Sequence, residues 1–162
     1  MPELAAIFEE AGCENVRTYI ASGNVVYRAD ANLARRIPDL VAEAIQEGYG
    51  FDCPIVTRNA AELEAVVAGN PYADEAATDP RTVHVAFLRD RPAKANVEAL
   101  DPDRSPPDTF VVEGREVYLH CPDGVARSKL TNQWLDSRLE TVSTSRNWRT
   151  VRKLQEMTKE GT

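Results

Sequence analysis

Apolar residues recur along this chain with two different periods, and the change of period marks out its elements. In the stretch ELAAIFEEA, residues 3–11, Leu4, Ile7 and Phe8 fall at helical spacing and Gly12 offers a stop. The pattern then switches to alternation. In NVRTYI, Val16, Thr18 and Ile20 share one face while Arg17 and Tyr19 share the other. VVYR resumes beyond Ser22-Gly23-Asn24, so a hairpin is predicted with its turn at Gly23. Residues 32–48 return to the helical period, with Leu33, Ile37, Val41, Ala44 and Ile45 on one stripe. Pro38 either kinks this helix or marks its first turn. CPIVTR at 53–58 reads as a short strand. NAAELEAVVAG at 59–69 reads as a helix, capped by Asn59 and stopped by Gly69. The polar run 70–80 is the expected loop and boundary.

The second half opens on TVHVAFL at 82–88, apolar on both faces and therefore expected at the centre of a sheet. A short helix is expected near 93–100, then a loop, DPDRSPPD. TFVVEGREVYLH at 109–120 predicts a second hairpin turning at Glu113-Gly114-Arg115, with Phe110, Val112, Tyr118 and His120 on one face. A helix over 128–139 carries Leu130, Trp134, Leu135 and Leu139 on a stripe; a strand at 141–144 and a helix at 147–159 close the chain. The order β-α-β-β-α-β is that of the ferredoxin-like split-βαβ unit. The first half repeats the same order without its leading strand. The expected fold is α+β: duplicated ferredoxin-like (alpha-beta plait) halves over residues 1–70 and 81–162, the first half incomplete.

Composition narrows the function classes. The chain has 162 residues, 43% hydrophobic and 28% charged, ordinary proportions for a globular protein. No apolar run reaches the roughly 20 residues of a membrane span, and MPELAAIFEE lacks a basic secretion-signal start. Cys13, Cys53 and Cys121 are widely spaced, and with only His84 and His120 beside them no structural zinc site or other cofactor is expected. A reduced, cytoplasmic home follows. The net charge of −7 disfavours nucleic acid as partner. That charge is uneven: residues 121–162 carry +3 and the remainder −10, so the C-terminal segment is the part suited to an anion.

Three stretches, VRTYIASGNVVYRAD, EVYLHCPDGVARSKLTN and TSRNWRTVRKL, together resemble the bacterial family catalogued as domain of unknown function 1697, across the whole chain and in order. The resemblance implies a pair of ferredoxin-like units and assigns no activity. Members of that family open with a strand and glycine-rich turn resembling LLRGINVGG, then a methionine and the first helix. Here Met1-Pro2-Glu3-Leu4 stands at that internal methionine. The missing strand would be an inner one, and several buried, unpaired backbone groups at roughly 1–3 kcal/mol each would rival a domain's stability of about 5–15 kcal/mol. The expectation is an internal start and a longer natural chain; rearrangement, or a strand borrowed from a second copy, is the alternative.

Candidate chemistry is sparse. Ser22, Gly23 and Asn24 suit an ordinary turn, and equally a polar loop facing a ligand. In GVARSKLTN, Ser128 reads as a helix cap flanked by Arg127 and Lys129, which makes a helix N-terminus suited to an anion; the glycines of a P-loop are absent. Arg146 and Asn147 open the last helix and are expected to join the same site. Arg17, Tyr19 and Arg28 on an open sheet face give a weaker, RNA-binding reading. No catalytic triad spacing is present, and whether the protein is an enzyme is left open. The expected function is binding of a small anionic or phosphorylated ligand through Arg127, Ser128, Lys129, Arg146 and Asn147. The alternative is an interaction module, such as a homodimer, that uses a sheet edge or face.

Overall fold

The computed structural model describes residues 2–19 and 23–160. The chain is mixed α/β with two antiparallel sheets, and it divides into two compact units. The first comprises Met1–Thr57 and Leu154–Thr162, the second Arg58–Lys153.

In the first unit, helix α1 (Pro2–Glu10) ends where Gly12 takes φ 108°. The Cys13 amide donates to the Phe8 carbonyl and the Gly12 amide to Glu9, a Schellman closure that needs this glycine. Strands β1 (Glu14–Tyr19) and β2 (Asn24–Arg28) pair antiparallel, with a bulge between Glu14 and Arg17. Helix α2 (Ala31–Tyr49) starts at Asp30, whose carboxylate accepts from the Leu33 amide at 2.8 Å, and stops at Gly50 with φ 76°. Pro38 lies well inside α2, and Ile37, Val41 and Ile45 on the buried stripe join Phe8 and Cys13 in one core. Val16, Val25 and Tyr27 pack on that core from the hairpin, as their alternation predicts.

The expected strand at 53–58 is not one. Residues 52–59 make no ladder, although Cys53 and Ile55 pack against the core. Extended, apolar sequence supplies a strand's conformation; a strand also needs a neighbour, and among the described residues this segment pairs with none.

In the second unit, the sheet order is β4-β5-β3-β6, all neighbours antiparallel. Its strands are β3 (Val83–Leu88), β4 (Thr109–Glu113), β5 (Glu116–His120) and β6 (Ser143–Asn147). β3 is central, as its two apolar faces require. One sheet face carries Ala86, Leu88, Val117 and Leu119 against Trp134, Leu135 and Leu139 of α6 (Asn132–Leu139), beside the short α5 (Lys94–Glu98). The helix α3 (Ala60–Ala68), expected to close the first half, packs in this unit: the Tyr118 hydroxyl donates to the Val66 carbonyl at 2.8 Å. Asn59 and Glu62 cap it reciprocally. The run 70–80 is not a plain loop but holds α4 (Ala73–Thr78) and the start of a 3₁₀ turn at Pro80–Thr82.

Three sequence expectations are corrected here. Glu113 pairs with Glu116, so the hairpin turn has two residues, and Phe110 opposes Leu119 while Tyr118 opposes Val111. Phe110 and Val112 therefore face α6, and Tyr118 and His120 the opposite side; a one-residue difference in turn length exchanges faces. Residues 121–130 form successive turns instead of the start of α6, which Thr131 caps by accepting from the Trp134 amide at 3.2 Å. Finally, β6 runs on through Ser145 and Arg146 because both continue the ladder with β3, which delays α7 (Trp148–Glu160) by one residue.

Candidate functional site

Two loops of the second unit meet to form a cleft. The Cys121 amide donates to the Thr82 carbonyl at 2.8 Å, anchoring the second loop to the start of β3. Gly124 (φ 90°) then turns the chain, its amide on the Cys121 carbonyl at 2.9 Å, and the Ser128 amide reaches Val125 at 3.1 Å. The first loop, Ser105–Asp108, closes on itself: Ser105 Oγ donates to Asp108 Oδ2 at 2.8 Å and the Asp108 amide to the Ser105 carbonyl at 2.7 Å. The Lys129 amide donates to Ser105 Oγ at 3.0 Å, and Arg104 Nε to the Lys129 carbonyl at 3.2 Å, which stitches one loop to the other. Arg104 also lies 5.0 Å over the Trp134 ring, so the seam is fixed to α6.

Between the loops is a space of about 270 Å³ lined by Ser105–Asp108 on one side and Asp123, Gly124, Arg127 and Ser128 on the other. Ser105 and Asp108 are buried, while Asp123 and Arg127 are exposed at the mouth. The cleft thus offers one guanidinium and two carboxylates. Cys121 lies beneath it, 1% exposed, and burial pushes its thiol pKa up; the Ser128 hydroxyl partly offsets this and Asp108 adds to it.

The structure brings together only part of the expected constellation. Arg127 and Ser128 line the cleft, and Lys129 is beside them through its backbone. Ser128 is no helix cap: its hydroxyl accepts from the Leu130 amide at 3.1 Å, two residues on, inside a turn. Arg146 and Asn147 are not among the lining residues. Arg146 belongs to β6 and donates to Thr144 Oγ1 at 2.7 Å and the Ser145 carbonyl at 2.8 Å, and burial lowers its pKa. Asn147 caps α7, accepting from the Thr150 amide at 2.9 Å. In the first unit Ser22 lies outside the described residues. Gly23 occupies the turn with φ 86°, and the buried Asn24 donates to the Tyr19 carbonyl at 3.0 Å, tying the hairpin shut.

The hairpin face proposed for RNA stacking is not open. Arg17 donates to the Met157 carbonyl at 2.7 Å, and Val26 and Asn24 on the same face are buried. Among the described residues no group of three histidines, cysteines or carboxylates could hold a metal ion, and no helix is long and apolar enough to cross a membrane.

Sequence reasoning passes over Ser105 and Asp108, which lie in the run DPDRSPPD read as a loop, and over Asp123. It also passes over Arg58, whose side chain is 5% exposed. Arg58 pairs with Glu116 at 3.0 Å, donates to the Leu88 and Arg115 carbonyls at 2.7 and 2.8 Å, and lies 5.5 Å over the Phe87 ring. Burial lowers its pKa, Arg115 lowers it further and Glu116 opposes both. A lone arginine ending an apolar run and followed by a helix cap was the only signal for it.

The chain is similar in structure to a conserved bacterial protein, SP0830, from Streptococcus pneumoniae: TM-score 0.67 and 19% identity, covering 98% of this chain and 88% of that one. At that identity the likeness concerns the fold. No curated protein matches the chain. The model of the protein family of unknown function DUF1697 matches residues 1–118, and the chain belongs to that family.

Proposed function

We propose that the second unit binds a small phosphorylated ligand that also carries hydroxyl groups, in the cleft between the Ser105–Asp108 and Asp123–Ser128 loops. The observation behind this is the pairing, within one space of about 270 Å³, of a guanidinium with carboxylates. Arg127 matches a phosphate oxyanion, and Asp123 accepts from hydroxyls. The carboxylates disfavour a bare polyanion and favour a ligand with donors of its own. Lys129, exposed beside the cleft, adds positive charge without filling it. The test is thermal melting with glucose 6-phosphate, glucose and inorganic phosphate in parallel. Stabilisation is expected to be greatest with the sugar phosphate and lost in Arg127→Ala. If sugar phosphates, nucleotides and phosphate all leave the melting temperature unchanged, the reading is wrong.

The fold reading that accompanies it is of two ferredoxin-like units, the first without its leading strand. The β4-β5-β3-β6 order with its α5 and α6 crossovers supports it for the second unit. For the first unit, support comes from the α1-β1-β2-α2 order and from residues 52–59, which make no ladder. In such a sheet this segment has one neighbour, the leading strand of the unit. A chain extended by an apolar N-terminal strand should gain amide-exchange protection at Cys53–Thr57; unchanged exchange there would count against it. A cytoplasmic setting agrees with three unpaired cysteines.

A second reading, self-association, rests on Tyr49 and Phe51, 56% and 54% exposed with ring centroids 6.4 Å apart. Sedimentation that is independent of concentration, and unchanged by Tyr49→Ser with Phe51→Ser, would remove it.

A further inference from the structure

A second cleft, of about 370 Å³, lies at the far end of the β4–β5 hairpin and is bounded by Glu62, Ala65, Arg91, Gly114, Arg115 and Glu116. Its polar groups are unevenly occupied. Glu62 is used twice: one carboxylate oxygen accepts from the Asn59 amide at 2.9 Å, and the other takes Arg115. Glu116 is engaged by the buried Arg58. Arg58 in turn spends its donors on Glu116 and on two carbonyls. Both carboxylates at this end of the hairpin are therefore already accepting hydrogen bonds, so the unfilled capacity is on the donor side.

Arg91 is exposed and has no partner among the described residues. Arg115 is partly exposed; beyond Glu62 its side chain reaches, among the described residues, only the Arg89 carbonyl, at 3.5 Å. The lining itself is balanced, two guanidiniums against two carboxylates, but both carboxylates are already engaged, by Arg115 and by the buried Arg58, so the charge left for a ligand is that of Arg91. Gly114 at the turn leaves open space where a side chain would stand, and Ala65 is small, so nothing bulky fills the gap between the arginines.

We infer that this cleft is a binding site for a small doubly charged oxyanion, held between the guanidiniums of Arg91 and Arg115 with Glu62 fixing the orientation of Arg115. Both guanidiniums present planar pairs of N–H donors, the geometry suited to phosphate and carboxylate oxygens. An anion here would also relieve the mutual repulsion of Arg58 and Arg115. The site is separate from the Ser105–Ser128 cleft and does not depend on the reading given for it.

The experiment is an amide NMR titration of the full chain with inorganic phosphate, at a pH above its second ionisation, with succinate run beside it as a dicarboxylate dianion. Saturable shifts at Arg91, Gly114 and Arg115 with either ion are expected. Arg91→Ala, an exposed change, should weaken binding at these residues by about tenfold or more, the effect of losing a charge-assisted contact. Arg127→Ala should leave it unchanged. Phosphate shifts confined to Asp123–Ser128 would overturn this inference and leave the other cleft standing. Shifts at neither place with either ion would overturn it too, as would equal binding by Arg91→Ala.

Discussion

Replacing Glu116 with leucine removes the carboxylate paired at 3.0 Å with a guanidinium that is 5% exposed. Two carbonyls, of Leu88 and Arg115, would remain to solvate Arg58. Breaking a buried pair by deleting one partner costs about 3–5 kcal/mol, because the surviving charge is left without compensation. Glu116 itself is 18% exposed, so water reaches the gap and the lower end, about 3 kcal/mol, is expected. For a chain of this size that is a fall in melting temperature of roughly 6–12 °C. The informative variant is the double one. Arg58→Met keeps an apolar stem over Phe87 while removing the charge, and with Glu116→Leu no ion is left to bury. The Arg115 carbonyl still accepts from the Leu88 amide at 2.8 Å. The double variant should therefore lie within about 1–2 kcal/mol of the parent, well short of the summed single losses. Urea unfolding followed by circular dichroism at fixed pH measures all four proteins. If Glu116→Leu costs under about 1 kcal/mol and the two single changes simply add, the pair is not acting as a buried ion pair.

Three further outcomes are expected. His84 is half buried with Nδ1 unpartnered among the described residues, and burial lowers its pKa below 6.5. The unfolded chain therefore takes up the proton first, so stability should drop as pH falls below about 6.5, and His84→Gln should flatten that drop in a pH series of melting curves. The Tyr118 hydroxyl, pushed up to about 12 mainly by burial, should cost stability as pH rises from 10 towards 12, by up to about 2.7 kcal/mol. Tyr118→Phe should remove that alkaline loss at the expense of about 1 kcal/mol near neutrality, where the Val66 carbonyl loses its donor. Gly12→Ala should destabilise the first unit by roughly 1–3 kcal/mol, because its φ of 108° suits only glycine and the new methyl would meet Leu33 Cδ2 at 3.3 Å; chemical denaturation would show it.

What the sequence disclosed was local. The α2 stripe, the Asn59 cap and the glycine at each hairpin are written in residues a few positions apart, and each led to the right element. The misreadings came where distant residues decide. Whether Cys53–Thr57 is a strand depends on a neighbour that no local pattern names. Ser145 and Arg146 are drawn into β6 by Ala86 and Val85, some sixty positions away. The faces of the second hairpin hung on a single residue of turn length. The cleft was half legible: Arg127 and Ser128 stood out, while their counterparts Ser105 and Asp108 are ordinary loop residues until the fold sets them opposite.

The composition of the first unit has a consequence for synthesis. Its hairpin and α2 leave the ribosome first, yet the unit also contains Leu154–Thr162, including the Met157 carbonyl that Arg17 holds. About a hundred residues intervene, and at 5–20 residues per second their translation takes roughly 5–20 s. Throughout that interval the face bearing Val26 lacks the last turns of α7 that belong with it. The N-terminal part of the protein is made first and finished last, so a nascent chain stalled before its final helix exposes an incomplete first unit to chaperones and proteases, however well its own residues have folded.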